Sequence, residues 1–300
     1  MSERLVSVTP QLVRRLLRSQ LPPELAYLAE APLELLGQGW DSVLYKLGDA
    51  HVVRVPQRRE GAELAGHEIA WVEAASAPLR AHGIEAPIPI FTGTPGMVLP
   101  WPWTIVQWIP GKDVSQLPIT ERGGLVAPLA RALMAIHRPA PREAPRNPYR
   151  GVPLRARARA VSDRWPSVVD WLGEERTAFL RAAWERSLRA PVWPGPPMWV
   201  HGDVHPGNLL QVEGRLVGII DFGDVAAGDP AVDLAAAWLT FDRGQREEFW
   251  SIIDAEGAYD PAIRERSAGW AVMVYTALIA DPITRRNFSK LIEGIRDQLT

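Results

Sequence analysis

Residues 199–233 read WVHGDVHPGNLLQVEGRLVGIIDFGDVAAGDPAVD. Apolar residues dominate the stretch, and three polar side chains interrupt it: Asp203, Asn208 and Asp221. Asp203 and Asn208 share one loop, and Asp221 follows the apolar run Val217–Ile220. Trp199–Val212 and Leu216–Asp221 read as strands around a loop. An Asp and an Asn converging on one point are hard oxygen ligands, the donor set of Mg²⁺. A further Asp in the same place can accept a proton from a hydroxyl. Phosphoryl transfer needs both: charge neutralisation at the phosphates and a carboxylate that orients the nucleophile.

Upstream, Leu33–Leu36, Ser42–Leu47 and His51–Val55 are short apolar runs separated by Gly37-Gln38-Gly39 and Gly48-Asp49. Short runs with turn residues between them predict an antiparallel meander. Glu60–Ala77 has the composition of a helix. Pro87–Phe91 and Thr104–Ile109 predict two more strands, which makes five strands with one long helix inserted. A short amphipathic helix over Val8–Arg18 precedes them. Beyond Pro110-Gly111 the pattern turns helical: Leu125–His137, then Ala160–Arg189 with a boundary near Trp165-Pro166. Pro230–Phe241, Arg246–Glu256, Arg264–Ile279 and Thr284–Leu299 follow. The expected fold class is α+β, a β-rich lobe over residues 1–109 and a helical lobe over 110–300. A cleft at the join is the default ligand site.

Composition narrows the function classes. The chain has 300 residues, 47% apolar and 23% charged, as a folded soluble protein does. A net charge of −2 lacks the basic excess of a nucleic-acid binder. With no cysteine, disulfides and thiolate metal sites are excluded. The N-terminus has no signal-peptide pattern. The apolar stretch around Trp270–Ala280 is shorter than the roughly 18 residues a membrane span needs. The expectation is a cytoplasmic protein with no membrane or obligatory protein partner. Among the 33 positive residues only Lys46, Lys112 and Lys290 are lysines.

H-G-D-x-x-P-G-N followed by I-D-F-G and, six residues on, D-P resembles the aminoglycoside phosphotransferase family. These are small-molecule kinases with a protein-kinase-like two-lobe fold. The spacing also fits the kinase template, with a catalytic-loop Asp and Asn separated by four residues and a D-F-G beyond. The resemblance extends from about Leu33 to Leu239. It implies Asp203 as the catalytic carboxylate and Asn208 and Asp221 as Mg²⁺ ligands. His201, Asp229 and Asp233 would support the loop. The cofactors implied are Mg²⁺ and ATP or GTP.

The upstream lobe should then hold the nucleotide. Gly37-Gln38-Gly39-Trp40-Asp41-Ser42 lies where a kinase glycine-rich loop belongs, with Ser42 in place of its third glycine. Gly37, Gly39 and Ser42 would approach the phosphates through the main chain. Arg54, on the third strand, stands where the family usually has a lysine, and can grip phosphate bidentately. Glu68 is its best helix partner, Glu63 the alternative. Val106–Gly111 resembles the interlobe hinge, with the base bound by main-chain groups of Gln107 and Ile109.

No Ala-Pro-Glu segment follows the D-F-G, so a small hydroxylated molecule fits better than a protein acceptor. An aminoglycoside would need carboxylates, such as Asp163, Asp170, Glu174, Glu175, Asp242, Glu247, Asp254 and Glu256. A macrolide would need an apolar wall, for which Trp165, Trp171, Trp184, Trp193 and Trp199 are candidates. Choline, homoserine or sugar kinases share the fold, and a non-catalytic nucleotide-binding module is the other class.

Overall fold

A computed structural model describes residues 6–39 and 42–299. Trp40 and Asp41, in the middle of the glycine-containing loop, lie outside the described residues. The chain forms two compact units. One comprises residues 1–74, 86–110 and 221–224; the other comprises 75–85, 111–220 and 225–300.

The N-terminal unit is built on five antiparallel strands: β1 (Leu33–Gln38), β2 (Ser42–Leu47), β3 (His51–Pro56), β4 (Pro89–Gly93) and β5 (Trp103–Gln107). Their order is β1-β2-β3-β5-β4. β5 enters between β3 and β4 because α2 (Arg59–Ser76) follows β3 and carries the chain across to the far edge. α1 (Pro10–Gln20) covers the sheet. Thr9 caps it by accepting from the Leu12 N–H, and Pro10 stands at the first turn, where a missing N–H costs nothing. Its buried residues Val13, Leu16 and Leu17 recur at helical spacing and pack with Val43, Tyr45, Leu47, Val53, Val55, Trp103 and Ile105. The burial of that apolar surface is what holds this unit together.

The C-terminal unit combines small ladders with helices. β6 (Lys112–Asp113), β8 (Leu209–Val212) and β9 (Arg215–Ile219) form one sheet, and β7 (Met198–Val200) pairs with β10 (Ala226–Gly228). The helices are α3 (Val126–Ile136), α4 (Ala158–Ser162), α5 (Trp165–Leu172), α6 (Glu174–Arg189), α7 (Ala231–Leu234), α8 (Ala236–Thr240), α9 (Arg243–Glu256), α10 (Ile263–Ala280), α11 (Pro282–Asn287) and α12 (Ser289–Leu299). α10 buries residues on all its faces, among them Trp270, Val272, Tyr275 and Ile279. A helix apolar all round belongs in a core, and α10 packs against α5, α6 and α7. No described helix is long and apolar enough to cross a membrane.

Several boundaries differ from the sequence expectation. The strand predicted over Trp199–Val212 is interrupted, because Pro206-Gly207 enforces a 3₁₀ turn over Pro206–Asn208 capped by the His205 ring. β1 continues through Gly37 to Gln38, with a bulge between Leu35 and Gly37. β5 ends at Gln107, short of the predicted Ile109. The single helix predicted over Pro230–Phe241 divides at Ala235, where Trp238 N bonds Ala235 O and tightens the turn. The last predicted helix is two: Asp281 caps α11, and Phe288 leaves helical geometry before α12.

Candidate active site

In the N-terminal unit two carboxylates meet around one arginine. Arg54 sits in the middle of β3, whose flanking residues Val53 and Val55 are buried. Its guanidinium bonds Glu68 Oε2 through one nitrogen and Asp221 Oδ1, at 3.1 Å, through another. Glu68 projects from α2 and is buried; its Oε1 has no hydrogen-bond partner. Burial pushes the Glu68 carboxyl up, against the attraction of Arg54, and the charge of Asp221 adds to the rise. Glu63 pairs instead with Arg59, at 3.4 Å on the surface. Asp221 adopts φ 67°, a left-handed backbone that Asp tolerates better than most residues. Its side chain remains 49% exposed.

The glycine-containing loop of the same unit is held by Gln57. Its amide donates to Gly39 O at 2.8 Å and accepts from Gln38 at 2.9 Å. Gly39 N–H closes onto Ser42 O, while the Ser42 hydroxyl is buried with no hydrogen-bond partner. A Cβ at Gly37 would meet nothing within 4 Å. Gln107 ends β5 exposed, Ile109 is buried, and Trp108 N–H between them donates to Ala50 O.

In the C-terminal unit the loop after β7 is clamped by one carboxylate. Asp233 is fully buried; its Oδ2 accepts from His201 N at 2.7 Å and its Oδ1 from Gly202 N at 2.8 Å. His137 Nε2 reaches the same Oδ2 at 3.1 Å, and its Nδ1 meets the Tyr259 hydroxyl at 2.8 Å. His201 accepts the Asp203 N–H at Nδ1, so Nε2 carries the hydrogen it donates to Ile220 O. Asn208 donates its amide N–H to Asp203 O at 2.9 Å. These contacts hold the loop mainly through its main chain, and Asn208 also reaches Asp203 Oδ2, at 3.5 Å.

Asp203 also meets a cation and an imidazole ring. Arg150 donates to Asp203 Oδ1 at 2.8 Å, and His205 Nε2 stands 3.6 Å from Oδ2. Burial raises the Asp203 carboxyl, but Arg150, His205 and His201 outweigh it and hold the group well below the usual carboxylate range. Arg150 is fixed from both sides by backbone bonds to β10: Ala227 N to Pro145 O and Asp229 N to Gly151 O, each 2.8 Å. This approach requires glycine twice. Gly151 has φ 63°, and a Cβ on Gly228 would lie 2.6 Å from Gly151 O. Asp229 binds Arg266 at 2.7 Å and caps Ala231 N at 3.0 Å, joining the loop to α7.

Arg150, His137 and Tyr259 were not among the residues singled out from the sequence. Arg150 had one local signal, the Asn147-Pro148-Tyr149-Arg150-Gly151 turn; the other two had none. Several of the acidic residues considered for a polycationic acceptor are engaged elsewhere. Glu174 binds Arg181, Asp254 binds Arg264, and Asp242 caps α9. Of the tryptophans, Trp184 and Trp199 are core, Arg285 covers Trp171, and Arg266 covers Trp193.

Each unit carries one oxygen donor of the kind Mg²⁺ takes. In the C-terminal unit Asn208 spends its Nδ2 on Asp203, and in the N-terminal unit Asp221 carries a half-exposed carboxylate. Among the described residues no three His, Asp or Glu side chains form a self-contained metal centre. Mg²⁺ beside a nucleotide does not need one, because phosphate oxygens and water complete its shell.

Comparisons with known proteins bear on the family and the fold. Residues 32–270 match the model of the phosphotransferase enzyme family, APH. An aminoglycoside 3'-phosphotransferase of Escherichia coli is 32% identical over 98 residues, which are 32% of this chain and 36% of that protein. The uncharacterized protein YcbJ of Bacillus subtilis (strain 168) is 27% identical over 99 residues, 32% of each. The aligned segments thus span about a third of these curated relatives. Among solved structures, the GDP complex of wild-type aminoglycoside 2'-phosphotransferase-IIIa superposes with TM-score 0.69 at 17% identity, covering 97% of both chains. The streptomycin-ATP-APH(2")-IIa ternary complex gives 0.61 at 18%, covering 97% of this chain and 96% of that one. At such identities the likeness carries the fold, and the fold is the kinase-like one. With the family match over most of its length, the chain belongs to the phosphotransferase enzyme family.

Proposed function

We propose that this protein is a Mg²⁺- and nucleotide-dependent O-phosphotransferase acting on a hydroxyl of a small molecule. The observation that carries the reading is the state of Asp203: an ionised carboxylate on a loop whose main chain is locked by Asp233 and Asn208. The acceptor hydroxyl oxygen attacks the γ-phosphorus of ATP or GTP. The bond from that phosphorus to the bridging oxygen breaks, and the nucleoside diphosphate leaves with the electron pair. The hydroxyl proton passes to Asp203 and on to solvent. A carboxylate held so far below its ordinary range is a weak base, so its work is to orient the hydroxyl while the loose transition state forms.

Arg54, aligned by Glu68, is the cation for the nucleotide phosphates, and its permanent charge suits it to that part. Gly37, Gly39 and Ser42 line the phosphates, and main-chain groups of Gln107 and Ile109 take the base. Asn208 and Asp221 would hold Mg²⁺, which supplies charge neutralisation at the phosphates. GDP and ATP complexes among the solved relatives support a nucleotide donor of either base. Their names, and that of the E. coli relative, support an aminoglycoside acceptor class by kinship.

The test is turnover of a panel of hydroxylated acceptors with ATP and with GTP. Asp203→Asn should lower kcat by about 10²- to 10⁴-fold, as loss of a proton-accepting carboxylate does. Undiminished activity in that variant rejects the assignment.

A further inference from the structure

Resting on the phosphotransferase reading, one residue outside the family motifs stands against Asp203 itself. Arg150 donates to Asp203 Oδ1 at 2.8 Å, and both side chains are mostly shielded, 20% and 24% exposed. The other carboxylate oxygen is placed differently. Asn208 Nδ2 is 3.5 Å from Oδ2, and His205 Nε2 is 3.6 Å from it. Both spans exceed a well-formed hydrogen bond. Among the described residues no nearer hydrogen bond or ion pair reaches Oδ2. Asp203 is thus gripped at one oxygen and open at the other.

The grip is registered by the backbone. β10 pairs with β7, the strand that runs into the Asp203 loop, with Val200 opposite Ala226 and Met198 opposite Gly228. The alternate N–H groups, those of Ala227 and Asp229, are taken by Pro145 O and Gly151 O, each at 2.8 Å. Successive N–H groups of a strand leave on opposite edges. β10 therefore carries the strand leading to Asp203 on one edge and the segment bearing Arg150 on the other. Two glycines set the separation. Gly151 takes φ 63°, and a Cβ on Gly228 would lie 2.6 Å from Gly151 O and 2.8 Å from Gly151 Cα. Backbone meets backbone there, so main-chain bonds fix where the arginine starts. All of these residues belong to the C-terminal unit.

We propose that Arg150 is a positioning residue for the transfer step. It holds Asp203 by Oδ1 and so presents Oδ2, the open oxygen, to the acceptor hydroxyl. A guanidinium suits this part because its bond to a carboxylate is charge-assisted and directional. A misplacement of about 1 Å near the reacting groups can cost about a hundredfold in rate. An Asp203 that is not held would therefore transfer slowly with its substrates still bound.

The experiment measures kcat and KM on the best acceptor of the panel, with Mg²⁺ and ATP or GTP. Where no acceptor is turned over, water serves as acceptor and slow nucleotide hydrolysis is read. Arg150→Gln should lower kcat by about ten- to a hundredfold and move each KM less than about threefold. Arg150→Lys, which keeps a charged donor for a single oxygen, should stay within about fivefold of the parent. Unchanged kcat in Arg150→Gln, or a loss confined to KM, overturns the proposal. Equal losses in the Gln and Lys variants mark a packing role and overturn it too.

A second arm repeats Arg150→Gln in the Asp203→Asn background. A residue that acts through Asp203 loses its effect there, and the further fall in kcat should be less than about threefold. A larger fall shows Arg150 acting on its own and overturns the proposal. Transfer by the parent with kcat untouched in Arg150→Gln rejects this inference alone. No transfer to any acceptor or to water rejects the phosphotransferase reading, and this inference with it.

Discussion

The two units hold their charged groups by opposite means. In the N-terminal unit Arg54 is a cation between two carboxylates, Glu68 and Asp221, and its bonds to them run from side chain to side chain. In the C-terminal unit Asp203 is a carboxylate beside the Arg150 guanidinium and the His205 ring, and the loop beneath it is fixed mainly through main-chain N–H and C=O groups. A cluster tied by long side chains can exchange one cation for another of similar reach. A cluster tied through the backbone cannot change its clamp without moving the loop. By this difference a change of cation at Arg54 should be tolerated more readily than a change in the spacing of the loop from His201 to Asn208.

Breaking the clamp should have the largest effect. Asp233→Asn sets an N–H₂ group against a backbone N–H of His201 or Gly202, leaving a buried donor unmet. We expect a loss of about 2–4 kcal/mol in denaturant unfolding, with kcat falling more than tenfold. Intact stability and activity would mean that the β7–β10 ladder alone holds the loop.

The side-chain cluster should be more forgiving. Arg54→Ala should weaken nucleotide binding about ten- to a hundredfold by calorimetry, and Arg54→Lys should stay within about threefold. If both variants bind like the parent, Arg54 is not the phosphate cation.

The smallest effect belongs to the Asp229–Arg266–Asp260 triad behind the loop. Burial raises the Asp260 carboxyl, yet Arg266 holds it below its ordinary value. Its folded-state affinity for protons is therefore lower than in the unfolded chain, near 3.9. The stabilisation is complete above about pH 4 and fades as pH falls below that. Asp260→Asn should cost about 1 kcal/mol at pH 7, and the gap from the parent should narrow toward pH 3. A gap independent of pH would assign the loss to packing.

Much of this molecule is legible residue by residue. Leu12 to Leu17 repeat at helical spacing, so α1 is evident before any packing is considered. The β2–β3 hairpin is equally plain, from its apolar runs and the Gly48 turn. Asp203 and Asn208 stand out because polar residues interrupt an apolar stretch at a spacing that one loop can close. The boundaries that escaped were those decided by competition: a 3₁₀ turn inside a predicted strand, and a tightened turn at Ala235 inside a predicted helix. Local propensity there was overruled by where the chain had to go next.

The amino-acid sequence by itself determined the order of elements, the family motifs and the identities of Asp203, Asn208, Asp221 and Arg54. Only the tertiary structure decided which charges these residues meet. Arg54 finds Asp221 across 167 residues, His137 finds Asp233 across 96, and Arg150 finds Asp203 across 53. Periodicity reports which face of an element is buried. It carries no record of partners brought from distant segments, because those pairings are set by packing and by the cost of leaving a buried charge unmatched. The pairing of Arg150 with Asp203 arises in that way.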